Sequence, residues 1–417
     1  MDFSLKDRQW QKLRRVLERV SRANHFQRKR LQSIGPLPTS LEDFSARIPF
    51  TRKSEIVEDQ MLYPPIGSNL TADLREYTRF SQTSGTTSRP IQVWDTTASW
   101  DWLLENWRQG FRLAAVEPGM LTYFAFSFGP FLGFWTAFEA GVRHGLRCIP
   151  GGGSSTHARV RAIIEHGAEV LCCTPTYALH LAEIARSERI SMAASRVRKI
   201  LVAGEPGGSL PSVRAKLQEA WPGAKVYDHY GMTEVGPVAF GTNEIDGALR
   251  VLEEQYYVEV LTPGGNQAVP DWHIGELVLT PLGREDWPLL RYRTGDIVRA
   301  RRDSQGALWF EGGVLGRTDD MVIIRGVNVY PGAVEHAVRT VPGIGEYRVT
   351  VSTLGSMSEC SVEIEVDGDV TGPPAAGIVA DLEAAFEKAF SLRIPVKAVP
   401  LRSLPRFELK ARRWVRG

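Results

Sequence analysis

The spacing of apolar positions changes several times along the chain, and each change predicts a different kind of element. In residues 5–34, Trp10, Leu13, Val16, Leu17 and Val20 recur at helical spacing among charges, which predicts a helix with one buried stripe. Leu37-Pro38 and Pro64-Pro65 punctuate a connecting region after it. Between about residues 75 and 240, short apolar runs at 121–128, 170–173, 199–202 and 224–227 alternate with helical stretches at 100–111, 156–166, 177–187 and 212–220. That is the rhythm of βαβ units and predicts a mostly parallel sheet covered by helices. From 247 to 310 the rhythm becomes strand-only. Runs at 249–252, 256–261, 275–280, 289–293 and 297–301 are separated by Gly and Pro, which fits a small antiparallel, barrel-like part. A further strand is expected at 321–324. From Pro331 onward the pattern reads helix, strand, strand, helix, strand, with Ile378, Leu382, Phe386 and Phe390 recurring every fourth residue on the second helix. The fold class expected is α/β: a large N-terminal domain over 1–317 and a small α+β domain over 318–417.

Composition changes this picture little. A chain of 417 residues suits one large and one small domain. With 43% hydrophobic and 24% charged residues it reads as an ordinary globular protein, and a formal net charge of +2 points to no nucleic-acid partner. The basic residues Arg14, Arg15, Arg22, Arg28, Lys29 and Arg30 interleave with the apolar stripe and read as a solvated helix face. The four cysteines, Cys148, Cys172, Cys173 and Cys360, form no CxxC pair, so buried thiols in a reducing cytoplasm are expected rather than a zinc site. The first residues are polar and charged, unlike a signal peptide, and no apolar run has membrane-spanning length.

The densest chemical signal lies in Ser81-Gln82-Thr83-Ser84-Gly85-Thr86-Thr87-Ser88-Arg89-Pro90, where six of ten residues are Ser or Thr. Such a turn offers backbone N–H groups and hydroxyls to an anion with little bulk in the way, as a triphosphate requires. It is not GxxxxGK[ST], so it is not the loop of the P-loop NTPases, and a P-loop kinase is disfavoured. Four segments follow in order: Tyr230-Gly231-Met232-Thr233-Glu234, Arg293-Thr294-Gly295-Asp296, Gly316-Arg317-Thr318-Asp319-Asp320, and Leu404-Pro405-Arg406-Phe407-Glu408-Leu409-Lys410. This ordered set resembles the adenylate-forming enzymes, which include acyl-CoA synthetases and peptide-synthetase adenylation domains. The segments Ile48-Pro49-Phe50-Thr51-Arg52-Lys53, Cys173-Thr174-Pro175-Thr176-Tyr177-Ala178-Leu179, Ala203-Gly204-Glu205-Pro206 and Arg325-Gly326-Val327-Asn328-Val329-Tyr330-Pro331 are similar to the phenylacetate–CoA ligase branch.

The resemblance implies an activity. A carboxylic acid, expected to be aryl or arylacetic, is activated by ATP to an acyl-adenylate and then passed to coenzyme A. The alternative is transfer to a carrier-protein thiol or an amine. A non-catalytic nucleotide-binding scaffold is disfavoured by the presence of Glu234, Asp296 and Lys410. The resemblance also implies roles. Ser84, Gly85, Thr86 and Thr87 would wrap the β- and γ-phosphates, with Ser88 and Arg89 standing where the family usually has Gly and Lys. The Thr233 hydroxyl would touch the α-phosphate, and Glu234 would hold Mg²⁺. Tyr230, followed by Gly231, would stack near the adenine, and Gly204, Glu205 and Pro206 would contact its edge. The Asp296 carboxylate suits the two ribose hydroxyls, and Arg317 is the next candidate for ribose or phosphate. Lys410 would bridge the attacking carboxylate and the α-phosphate, although Leu409 replaces the usual Gly. Asp319 is the expected hinge of a mobile C-terminal domain, and Gly326 would line the pantetheine tunnel. Tyr123, Phe126, Phe128 and His229 are candidates for the acid pocket, against a reading of aromatic density as core. The expected location is cytoplasmic, with no nucleic-acid or membrane partner, and a homodimer is left open.

Overall fold

The computed structural model describes residues 3–83, 89–325, 327–354, 357–407 and 411–416. The chain forms two compact units, each assembled from two stretches of sequence: residues 1–153 with 229–311, and residues 154–228 with 312–417.

In the first unit the N-terminal helical pattern is split. Helix Leu5–Ala23 begins with a capping box between Ser4 and Asp7 and buries Leu13, Val16, Leu17 and Val20. A second helix, His25–Gln32, follows at once. The stretch expected to be helical over about 5–34 is thus realised as two helices. The break is at Asn24, whose extended backbone (ψ 116°) frees its side chain to accept from the Gln27 N–H and to donate to Thr71 Oγ1. A hairpin of Tyr77–Gln82 and Gln92–Thr96 carries the Ser/Thr-rich segment between its strands. Its base is closed by reciprocal bonds, Thr83 N–H to Ile91 O and Ile91 N–H to Thr83 Oγ1, both 3.0 Å. Thr96 then caps helix Thr97–Leu113.

The predicted parallel pairing holds where strands are joined through helices. Leu121–Phe124 pairs parallel with Arg147–Pro150 across helix Leu132–His144. The strand expected over 121–128 stops at Phe124, and Phe128 beyond it takes a left-handed backbone (φ 48°). The later part of the unit is antiparallel as expected. Its strands run in the order Tyr256–Leu261, Ile274–Pro281, Tyr292–Arg302, Leu308–Arg317, Ala248–Val251, Gly236–Gly241. The two strands expected at 289–293 and 297–301 are one, Tyr292–Arg302. Gly295 (φ 75°) absorbs an irregularity opposite Glu276 and Val278 instead of ending the strand.

In the second unit, Val170–Cys173 and Lys199–Ala203 pair parallel. All four residues of the first strand are buried, as a strand covered on both faces requires. Helices Thr156–Glu165, Pro175–Ser187 and Pro211–Ala220 belong to this unit, the second capped by Thr174 with Pro175 in its first turn. The C-terminal part follows the expected order: Pro331–Thr340, Ile344–Leu354, Met357–Val366, Pro373–Phe390 and Val396–Pro400. A last strand, Trp414–Arg416, was not anticipated, and it pairs parallel with Ile344–Leu354. Val338, Val349, Ile364, Leu382 and Phe386 lie in one core there.

Within this unit the C-terminal residues are tied to the 154–228 stretch by polar bonds. The Arg406 guanidinium bridges Glu183 and Glu365, and Arg413 donates to Thr176 Oγ1 as well as to Glu335 and Glu346. Burial acts to raise the Glu335 carboxyl, but Arg413 and Arg339 outweigh it and hold the group down to about 2. None of the four cysteines is in a disulfide. Burial pushes Cys148 and Cys360 up to about 11, so neither is a thiolate at neutral pH. Among the described residues no helix is long and apolar enough to cross a membrane.

Candidate functional site

The candidate nucleotide residues of the first unit gather on two adjoining devices. One is the hairpin of Lys225–Met232 and Gly236–Gly241, whose turn consists of Thr233, Glu234 and Val235. The hairpin demands glycine at 231. A Cβ there would lie 2.8 Å from Gly236 O and 3.0 Å from Pro237 Cα, both backbone atoms of the partner strand. The other device is the irregularity at Gly295, which turns Asp296 inward. Its N–H is held by Thr294 Oγ1 at 3.0 Å, and its Oδ2 accepts the Tyr230 hydroxyl at 2.6 Å. Tyr230 and Asp296, separated by 66 positions in sequence, are thus direct partners.

Glu234 is 7% exposed, and Tyr292 donates to its Oε1 at 3.3 Å. Among the described residues this is the hydrogen bond found on the carboxylate, and a carboxylate has several acceptor sites to offer a cation or a strong donor. Among the described residues no three His, Cys, Asp or Glu side chains cluster to hold a metal. A cation on Glu234 would therefore take most of its ligands from phosphate oxygens and water, the habit of Mg²⁺.

The turn is held from below by residues that sequence reading missed. Arg284 Nη1 donates to Thr233 O at 2.8 Å and to Glu234 O at 3.0 Å. Tyr256 Oη donates to Val235 O at 2.9 Å. Three consecutive carbonyls are thereby fixed by side chains. Arg284 also pairs with Asp95 through Nε and Nη2, at 2.7 and 2.5 Å, and both side chains are wholly buried. In sequence, Arg284 looks like a charged turn residue beside Glu285 and Asp286. The available signal was Asp95, a carboxylate inside a short strand otherwise apolar on that face.

The acid-pocket candidates are packed among other rings. Phe126 is buried, stacked on Phe134 with centroids 4.3 Å apart and 11° between planes, and edge-on to Phe128. Tyr123 is buried, and a Cβ on Gly151 would come within 2.8 Å of its ring. Phe128 is only partly buried. His229 lies between Trp107 and Phe240, at 4.3 and 4.2 Å, with Nδ1 3.1 Å from Ala239 O. Burial depresses its pKa to about 3, so the ring is neutral at physiological pH.

In the second unit, Gly204, Glu205 and Pro206 form the turn after strand Lys199–Ala203. Glu205 Oε1 accepts the Thr176 N–H and Oε2 accepts the Ala411 N–H, each at 2.8 Å. The Arg317 fork grips Asp319 at 2.8 and 3.1 Å, which brings the ribose or phosphate candidate onto the expected hinge. Ser84, Gly85, Thr86, Thr87, Gly326 and Lys410 lie outside the described residues. A cavity of about 520 Å³ in the first unit, lined by Tyr257, Glu259, Val260, Asn266 and Arg291 among others, shares no residue with these candidates. Two of its charged residues, Arg291 and Glu259, pair with each other.

Residues 80–281 match the AMP-binding enzyme family and residues 326–416 match the AMP-binding enzyme C-terminal domain. The chain is 31% identical to the phenylacetate-coenzyme A ligase of Thermus thermophilus, over 86% of this chain and 80% of that one. It is 26% identical to the Escherichia coli phenylacetate-coenzyme A ligase, over 97% and 92%. Among solved structures, a 2-hydroxyisobutyryl-CoA ligase in its postadenylation state, in complex with an acyl-AMP, superposes with a TM-score of 0.93 at 28% identity, covering 99% of this chain and 89% of that one. The chain belongs to the AMP-binding, adenylate-forming enzymes and is related within them to the phenylacetate–CoA ligases.

Proposed function

We propose that this protein is an AMP-forming acid–CoA ligase acting on an aryl or arylacetic acid, with residues 1–317 binding ATP and acid and residues 318–417 serving as the lid. In the first step an oxygen of the carboxylate attacks the α-phosphorus of ATP. The bond to the β-phosphate oxygen breaks, and acyl-AMP and pyrophosphate form. In the second step the CoA sulfur attacks the acyl carbon. AMP leaves with the carbonyl–oxygen bond electrons, the thiol proton passes to base or solvent, and the thioester remains.

The observation that carries the reading is the Tyr230–Asp296 contact beside the Thr233-Glu234 turn. It supports an adenosine site next to a triphosphate site. Asp296 would accept from the ribose hydroxyls, and Tyr230 would orient that carboxylate while its ring faces the base. Thr233 would hold the α-phosphate oxygen. Glu234 would hold Mg²⁺, which when bound offsets charge on the phosphates. Ser84, Gly85, Thr86 and Thr87 would receive the β- and γ-phosphates, and Lys410 would place its charge between the two reacting anions. Gly326 would give the pantetheine arm close backbone approach. The similarity to phenylacetate-coenzyme A ligases favours an aromatic acid over a small hydroxy acid.

The deciding experiment is pyrophosphate release over a panel containing phenylacetate, benzoate and 2-hydroxyisobutyrate, with and without CoA. Turnover with phenylacetate or benzoate and CoA, yielding AMP, is expected. Pyrophosphate release without any CoA thioester would favour a carrier-protein thiol or an amine as acceptor. Lys410→Ala is expected to slow acyl-AMP formation by about 10²–10³-fold while sparing thioester formation from preformed acyl-AMP. Equal losses in both steps would remove Lys410 from its assigned role.

A further inference from the structure

The buried pair Arg284–Asp95 does more than fill the core of the first unit. Asp95 lies on strand Gln92–Thr96, the strand that leaves the Ser/Thr-rich segment. The Arg284 fork takes both Asp95 oxygens on one side and the carbonyls of Thr233 and Glu234 on the other. Arg284 thus joins strand Gln92–Thr96 to the turn that bears Thr233 and Glu234. The planar guanidinium suits this task. Its donors are fixed in one plane, so holding a carboxylate on one edge sets where the other edge can bind. The Trp287 ring stacks against it, with Cζ 5.5 Å from the centroid, and limits tilt. Segment 284–287 is itself immobilised, because Asp286 accepts from Thr96 Oγ1 and its carbonyl accepts from Tyr77 Oη.

We propose that Arg284 and Asp95 are positioning residues for the metal–nucleotide site, fixing the Thr233-Glu234 turn against strand Gln92–Thr96. The inference deepens the adenylation reading and rests on it for the identity of the ligand. Both side chains are wholly buried, so they would act without touching ATP. Their effect reaches the metal through the backbone of Glu234, as the partners of metal ligands act through the ligands they orient.

The test uses the full chain in two variants. Arg284→Lys keeps the charge opposite Asp95 but cannot reach the carboxylate and both carbonyls at once. The pair replacement Asp95→Leu with Arg284→Met removes both buried charges together, which avoids stranding either. Thermal melting establishes that a variant is folded. ATP binding is then measured by calorimetry with and without Mg²⁺, and Mn²⁺ binding to the ATP complex by electron paramagnetic resonance. The metal-dependent gain in ATP affinity is expected to fall by about tenfold, the lower end for losses of such supporting partners. In single turnover, acyl-AMP formation should fall while thioester formation from preformed acyl-AMP stays within about twofold. In a Glu234→Gln background, adding Arg284→Lys should cost little more, because the ligand it orients is already lost.

Unchanged Mn²⁺ binding in a folded variant, a full multiplicative loss in the Glu234→Gln background, or equal loss in both half-reactions would each overturn the proposal. So would loss of a cooperative melt in both variants, which would make the pair a stability element only. Failure of the wild type to release pyrophosphate with any acid would overturn the ligase reading instead. The metal–ATP titration would then still judge the pair.

Discussion

At the scale of single residues, burial decides what each candidate group can do. Glu234 and Asp296 are both buried, yet each keeps a hydroxyl partner, Tyr292 and Tyr230 respectively. A hydroxyl donor supports a carboxylate without adding a compensating charge. His229 is the opposite case. Burial lowers its pKa to about 3, and the Ala239 carbonyl only partly opposes this. In the unfolded chain the same ring titrates near 6.5. The unfolded state therefore binds an extra proton between about pH 3 and 6.5. The contribution of His229 to stability is full above that window and is lost as pH falls through it, at up to about 1.4 kcal/mol per pH unit. His229→Phe, which preserves the stacking against Phe240, should flatten this dependence. The measurement is the urea midpoint at pH 5 and pH 7 in both proteins. An identical drop on acidification in wild type and variant would mean that His229 does not titrate on unfolding.

At the scale of elements, the hairpin of Lys225–Met232 and Gly236–Gly241 is the part whose geometry matters most. Its register pairs Gly231 with Pro237 and Met232 with Gly236, leaving Thr233, Glu234 and Val235 to turn. The space at Gly231 is closed by backbone, which cannot move aside as a side chain can. Gly231→Ala is expected to cost about 1–3 kcal/mol, the usual range for overpacking, and to weaken ATP binding by displacing the turn. Chemical denaturation with a parallel ATP titration checks both. A stable variant with wild-type ATP affinity would show that the turn is set by Arg284 and Tyr256 alone. The element scale is also where sequence reading succeeded most and erred instructively. Helical periodicity placed most helices, and strand-length runs placed most strands. It left the break at Asn24 unmarked and split one strand at Gly295. A capping side chain and a tolerated bulge are decided by partners elsewhere, Thr71 in one case and strand Ile274–Pro281 in the other.

At the scale of the whole molecule, the proposed two-step reaction makes a demand on the C-terminal part. Lys410 and Gly326 would serve different steps at one acyl carbon, so the lid must swivel between them. The ties within the second unit would have to release in that motion: Arg406 to Glu183, Arg413 to Thr176, and Glu205 to the Ala411 N–H. Asp319, exposed and gripped by Arg317, is the proposed pivot. Asp319→Pro fixes φ near −65° and removes an N–H. It should leave acyl-AMP formation in place and depress thioester formation by about tenfold or more, since such a change acts on a conformational step. Asp319→Ala, which loses the carboxylate but keeps backbone freedom, should carry out both steps. Single-turnover assays of the two half-reactions in each variant decide the matter. If the Pro variant completes both at wild-type rates, the pivot lies elsewhere; if the Ala variant shares its defect, the carboxylate and not the backbone is what counts.

The order of elements, the division into parallel and antiparallel parts, and the chemical class of the protein were all carried by the sequence itself. Each depends on local spacing or on short segments in a fixed order. Periodicity reports which face of an element is buried, and the Ser/Thr-rich and Thr-Glu segments state their chemistry in the residues they contain. The tertiary structure alone decided which distant residues meet. Tyr230 is paired with Asp296, Asp95 with Arg284, and Glu205 with the backbone of residue 411. The structure also decided that His229 is a neutral ring between two aromatics, whereas in sequence it was an open candidate for the acid pocket. The reason is physical. A charged side chain far from its partner in sequence looks the same whether it will be solvated or buried. Only folding, by removing water from Asp95 and Arg284 together, gives that pair its fixed geometry.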